Sequence, residues 1–118
     1  MRIEQLYSIK IAKEITIEIY LMLKQLPDTE KFALKSQMRR AVLSILANIA
    51  ESEGTFPKKS KINFLYIARG SLFELKSYLL AIRSVYPDVN MSDNVMSKID
   101  ILHYIINKTI KRISTTFR

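Results

Sequence analysis

Turn-forming residues gather at only three places in this chain: Pro27-Asp28, Gly54 to Pro57, and Pro87 to Asn90. Between them run segments of roughly 20 to 30 residues in which apolar side chains recur at i, i+3 and i+4. That period predicts helices near 4–26, 31–53, 59–85 and 92–114. Ser92 with Asp93 reads as an N-cap and first turn, and Gly54 as a helix stop. The β-branched residues follow the helical period rather than alternating, so no strand is expected. Links this short turn neighbouring helices antiparallel. The expected fold class is all-α: one domain over residues 1–118, an antiparallel up-down-up-down four-helix bundle.

Two helices carry more apolar surface than a lone bundle uses. Helix 1 is apolar nearly all round, with Leu6, Ile9, Ile11, Ala12, Ile15, Ile17, Ile19, Tyr20, Leu21, Met22, Leu23 and Leu26. A bundle helix needs an apolar band only about 100° wide or a little more. In helix 2, Leu34, Met38, Ala41, Ile45 and Ile49 form one seam, while Leu43, Leu46, Ala47 and Ala50 point elsewhere. The surplus implies a second buried face, and hence self-association into a homo-oligomer. Helix 3 presents a core face of Phe64, Leu65, Ile67, Ala68, Leu72, Leu75, Leu79 and Ile82. Helix 4 does so with Val95, Ile99, Leu102, Ile106, Ile110 and Ile113.

Charge supplies the first functional indication. Nineteen Lys and Arg oppose eleven Asp and Glu, a formal +8. Such an excess favours polyanionic partners, chiefly nucleic acid or an anionic protein surface, against the plainer reading of a soluble basic protein. Cysteine is absent, which removes disulfides and thiolate metal sites and fits a cytoplasmic location. No signal peptide and no membrane span is expected.

Catalytic signatures are missing. There is no Gly-rich phosphate loop, and the one histidine, His103, cannot anchor a multi-histidine metal site. Asp100 is the only acid three residues before it, so no Glu-x-x-His pair exists for a di-iron centre. An Arg-x4–6-His ribonuclease motif is absent too, since Lys98, Ser97 and Met96 stand where its arginine belongs, and lysine is a poor substitute in phosphate recognition. A degenerate ribonuclease using Lys98 and His103 is the outside alternative. The expectation is no enzyme, no cofactor and no metal.

Two polar groupings remain. Gln37, Arg40, Ser44, Asn48 and Glu51 form a stripe along helix 2, opposite Ser71, Glu74 and Tyr78 on helix 3. These are expected to meet as an internal network that fixes helix register, a buried Arg40 requiring Glu74 as partner; a ligand or RNA-contacting pocket is the alternative. The second grouping is a basic ridge, Arg69, Lys76 and Arg83 at spacings of seven, with Lys58, Lys59 and Lys61 at the start of helix 3. Lys108, Lys111, Arg112 and Arg118 join it from the end of helix 4, where cations also suit the helix dipole. These ten residues are the candidate nucleic-acid contacts, against the plainer reading of a solvated face. No aromatic-rich single-strand motif accompanies them, so phosphate contact with weak sequence preference is expected.

The segment "FALKSQMRRAVLSILANIAESEG" followed by "FLYIARGSLFELKSYLLAI" resembles the 23S rRNA-intervening-sequence protein family. Leu34, Gln37, Arg39, Arg40, Ala41, Ser44, Ile45, Asn48, Ile49, Ala50 and Glu51 carry the resemblance, then Phe64, Leu65, Ala68, Gly70, Ser71, Glu74 and Leu75. One departure is that Ser52-Glu53 intervene before Gly54, where the family pattern runs Asn-Ile-Ala-Glu-Gly. The resemblance implies an antiparallel bundle assembling into a ring-like homo-oligomer, in relatives a pentamer, and no enzyme. A related branch, the accessory variability protein of diversity-generating retroelements, implies binding to a reverse transcriptase and nucleic acid. A protein-interaction scaffold without nucleic-acid contact is the competing expectation.

Overall fold

A computed structural model describes residues 2–116. Helices α1 (Ile3–Leu23), α2 (Leu34–Gly54), α3 (Lys58–Val85) and α4 (Asp93–Thr115) carry most of them, with a single 3-10 turn at Asp28–Glu30 and no strand among the described residues.

The helix ends follow local chemistry. At the start of α1, the backbone N–H of Arg2 donates to Gln5 Oε1 at 2.8 Å. Ser92 caps α4 by accepting from the Asn94 N–H at 3.0 Å. Helix α1 stops at Leu23 rather than near residue 26, because Pro27 bars helical backbone in the residue before it. Its final carbonyls, on Leu21, Met22 and Leu23, are taken up by a tightened turn through Leu26, which stays buried. The 3-10 turn then delays α2 to Leu34. Gly54 is the last helical residue of α2, not a left-handed cap; the stop comes at extended Thr55 (φ −100°, ψ 135°) and Pro57. The Ser52-Glu53 extension is absorbed as more helix, with Ser52 buried and its hydroxyl donating to the Ile49 carbonyl at 2.6 Å.

Neighbours α1–α2, α2–α3, α3–α4 and α4–α1 pack together around one apolar cluster, and the diagonal pairs do not approach at backbone range. Helix α4 buries all six expected apolar residues and adds Ile105. On α3, Leu65, Ala68, Leu72, Leu75, Leu79 and Ile82 are buried, whereas Phe64 is half-buried and Ile67 exposed. Residue 67 lies about 120–160° round the helix from Leu65, Leu72 and Leu79, too far to reach the core. Helix α1 buries Ile11, Ala12, Ile15, Ile19, Met22 and Leu23, and leaves Leu6, Ile17, Tyr20 and Leu21 exposed. The surplus apolar surface of α1 therefore lies on the outside of the chain.

Cross-helix bonds place the ends. Lys61 Nζ on α3 donates to the Ser52 carbonyl of α2 at 2.9 Å, and Arg112 Nε of α4 meets Glu4 Oε1 of α1 at 2.5 Å. One end of the bundle thus gathers the starts of α1 and α3 with the finishes of α2 and α4. At the other end Gln25 exchanges two hydrogen bonds with the backbone of Asn90, at 3.1 and 2.7 Å, and the Tyr86 hydroxyl donates to Glu30.

Candidate nucleic-acid interface

The ridge of Arg69, Lys76 and Arg83 flanks the core face of α3, and that flank looks onto α4. Arg69 Nη1 donates to Asn107 Oδ1 at 2.7 Å while its guanidinium lies over the Tyr66 ring, 4.9 Å from the centroid. Because the Asn107 oxygen is held by Arg69, its amide nitrogen faces His103 Nε2 at 3.0 Å, and that ring nitrogen acts as acceptor. The His103 ring meets Phe73 nearly edge-on, centroids 4.7 Å apart. Further along, Lys76 Nζ is 3.1 Å from Asp100 Oδ1, and Arg83 Nη2 is 4.0 Å from Asp93 Oδ1. Two of the three ridge cations thus face a carboxylate on α4, and the third an amide.

The cations at the bundle end are held differently. Lys58 Nζ donates to the Thr116 carbonyl and Lys61 Nζ to the Ser52 carbonyl. A carbonyl accepts a hydrogen bond but cancels no charge. Among the described residues only Arg112 of these has an acid, Glu4, and its Nη2 is buried without a hydrogen-bond partner. Phe56, Pro57, Lys58, Lys61, Arg112 and Ile113, with Thr116, line an open hollow of about 560 Å³. Lys59 and Lys111 are exposed nearby, and Lys108 is exposed with its ammonium 5.9 Å from the Tyr104 ring centroid. Arg118 lies outside the described residues.

On the other flank of α3, Ser71 Oγ is hydrogen-bonded to Ser44 Oγ of α2 at 2.8 Å. Asn48 Nδ2 donates to the Ser44 carbonyl at 2.8 Å and to its Oγ at 3.1 Å. Arg40, Glu51 and Glu74 are exposed, and Gln37 is half-buried. Spacings of 3 and 4 do not hold five residues at one azimuth: Ser44 and Asn48 sit near the core while Arg40 and Glu51 have rotated outward. Arg40 is therefore not a buried charge in the isolated chain. The Tyr78 hydroxyl lies between the two helices' charges; burial first, then the charge and hydrogen bond of Glu74, push it above the ordinary tyrosine range, while Arg40 opposes them.

Sequence reading missed the α1–α4 seam. Lys98 Nζ sits between Glu18 Oε2 at 2.9 Å and Glu14 Oε1 at 3.5 Å. The hydrogen bond to Glu18, with the charges of Glu18 and Glu14, raises its pKa against the pull of desolvation. The one available signal was the pair Glu14 and Glu18, a turn apart on one side of α1. Lys98 is thus engaged with α1 and His103 with α3, so the two do not form a common site. No cluster of three or more His, Asp or Glu side chains able to hold a metal occurs among the described residues. No helix there is long and apolar enough to cross a membrane.

Compared with known families, residues 4–108 match the model of the 23S rRNA-intervening sequence protein. The chain belongs to that family. A solved structure similar to it is that of a protein of unknown function from the S23 ribosomal protein family of Bacteroides thetaiotaomicron VPI-5482. The two superpose with a TM-score of 0.77 at 22% identity, covering 92% of this chain and 99% of the other. That likeness shows a shared fold. No curated protein matches the chain. Neither the family nor the structural neighbour indicates an enzyme.

Proposed function

We propose that this chain is a non-enzymatic accessory protein of the cytoplasm that assembles with copies of itself and binds RNA or DNA through its basic surfaces. It acts alone or beside a nucleic-acid enzyme such as a reverse transcriptase. The observation that carries the reading is the unneutralised positive charge at the bundle end, where Lys58 and Lys61 rest on carbonyls and Lys59 and Lys111 are exposed. Phosphate backbones are the obvious counter-charge for such a surface, and contact with them carries little sequence preference. The test is affinity for unrelated RNAs and DNAs across a salt series. Binding that weakens steeply and linearly in log–log form supports it; no binding at low salt, or affinity indifferent to salt, overturns it.

Self-association rests on the outward apolar residues: Leu6, Ile17 and Leu21 of α1, and Leu43, Ile67 and Leu80 on the outer faces of α2 and α3. Two different apolar faces on one chain suit head-to-tail contacts that close into a ring of antiparallel bundles. Gly70 adds to this. It lies in the middle of α3, a Cβ there would meet nothing within 4 Å, and glycine inside a helix costs about 1 kcal/mol relative to alanine. Nothing among the described residues requires it, whereas close approach of a second copy would account for it. Light scattering at micromolar concentration should return a multiple of the 13.7 kDa chain mass. The same exposed faces favour the second reading, a scaffold that binds only proteins. Partners retained after nuclease treatment would favour the scaffold over the nucleic-acid binder.

A further inference from the structure

Where α3 begins and α4 finishes, three cations share one hollow, and each has hydrogen-bonding capacity the chain leaves unused. Arg112 spends Nε on Glu4, while its Nη2 is buried with no partner. A buried donor left unsatisfied is destabilising, by about 1–3 kcal/mol for neutral groups and more for charged ones. Folded proteins keep few of these, and a small swing of the part-exposed guanidinium toward the adjoining hollow would give it an acceptor. Lys58 and Lys61, one turn apart, each donate to a single carbonyl, although an ammonium has three donors.

The helix itself contributes. Helix α3 is 28 residues long, and Pro57 at its N-cap provides no side-chain acceptor for the first N–H groups. Those N–H groups and the helix dipole favour an anion at this end. Among the described residues Glu4 is the only acid in contact with the three cations, and its hydrogen bond to Nε steers the guanidinium rather than filling Nη2.

We infer that this hollow is a phosphoryl-group site, in which the Arg112 guanidinium, the spare protons of Lys58 and Lys61 and the first N–H groups of α3 hold the oxygens of one phosphate. Several oxygens and more than one negative charge match donors arriving from three directions better than a planar carboxylate does. The phosphate belongs either to a polynucleotide backbone, in which case the site rests on the nucleic-acid reading above, or to a small phosphorylated ion. The ridge along α3 and α4 is not part of it.

The full chain is titrated with pyrophosphate and, separately, with a short mixed-sequence RNA, following the backbone amide signals of Lys58, Lys59 and Ser60. The same titrations are run on Lys58→Gln/Lys61→Gln, and on Arg112→Lys, which keeps the charge and loses the fork. Both ligands should move those amides. The double variant should bind RNA about tenfold more weakly, with a salt slope lower by roughly 1.4 for two lost single-strand phosphate contacts. If RNA binds while neither ligand moves these amides, and the double variant keeps its affinity and slope, the site is wrong and the nucleic-acid reading stands. If pyrophosphate moves them and RNA does not bind, the site stands with a small phosphorylated ligand and the nucleic-acid reading falls. If pyrophosphate moves them while RNA binds without moving them, the site takes only the small ligand and RNA uses another surface. If neither ligand does, and RNA does not bind, both fall. Because the amides are read on the unsubstituted chain, a variant that fails to fold leaves the outcome decided.

Discussion

Arg69, Lys76 and Arg83 along α3, and Lys58, Lys61 and Arg112 at the bundle end, carry the same formal charge but touch different groups. The first set faces Asn107, Asp100 and Asp93 across the α3–α4 seam. The second set faces two backbone carbonyls and one carboxylate. A carboxylate offsets the field of its partner, while a carbonyl leaves it for a ligand to meet. Counting basic residues therefore treats the two regions as equal, and the structure does not. The ridge serves in part to align α4 on α3; the end keeps its charge available.

That contrast can be broken in several places. Reversing the end with Lys58→Glu/Lys61→Glu should have the largest effect, lowering RNA affinity at low salt by about 100-fold or more, as read by fluorescence anisotropy. If the protein remains folded by circular dichroism and still binds, the end is not the contact. Neutralising the ridge with Arg69→Gln/Lys76→Gln/Arg83→Gln should weaken RNA binding only a few-fold, with chain stability falling by about 1 kcal/mol through lost surface pairs. A Gly70→Ala chain should be more stable as an isolated unit by roughly 0.5–1 kcal/mol in urea unfolding, yet assemble less well by light scattering. Unchanged assembly would remove Gly70 from the contact between copies.

The smallest effect concerns the α1–α4 seam. Lys98→Met should destabilise by about 0.2–1 kcal/mol near neutral pH. The pKa of Lys98 in the folded chain is raised above its ordinary 10.5. The stabilisation it confers is therefore fully present below that value and is lost as pH rises through the higher folded value. The Tyr86 hydroxyl, raised chiefly by its hydrogen bond to Glu30, acts in the same alkaline direction. Urea midpoints of parent and variant should converge only above about pH 10.5. A constant gap into that range would deny the Glu14–Lys98–Glu18 cluster its role.

Much of the fold was legible because helices announce themselves through a local period. Every expected core residue of α4 is buried, and Ser92 caps as its position suggested. Where reading failed, the cause was non-local or rotational. Leu26 continues the apolar pattern of α1, yet the proline that follows it ends the helix before that residue. Ile67 and Arg40 stand at helical spacings from core residues, yet the wheel carries both well round to the solvent side. For the candidate interface, the sequence named the basic residues but not their partners. Glu4 and Arg112 stand 108 residues apart, and Lys98 and Glu18 stand 80 apart, so no local pattern links them. Whether a lysine ends on a carboxylate or a carbonyl is decided only when helices from distant parts of the chain come together.

The most direct test is the salt slope of RNA binding, measured side by side for the parent chain, Lys58→Gln/Lys61→Gln and Arg69→Gln/Lys76→Gln/Arg83→Gln. The expected result is a smaller slope for the end variant, by roughly 1.4, and a slope close to the parent's for the ridge variant although it removes three charges. A ridge variant with the flatter slope, beside an end variant indistinguishable from the parent, would contradict the account.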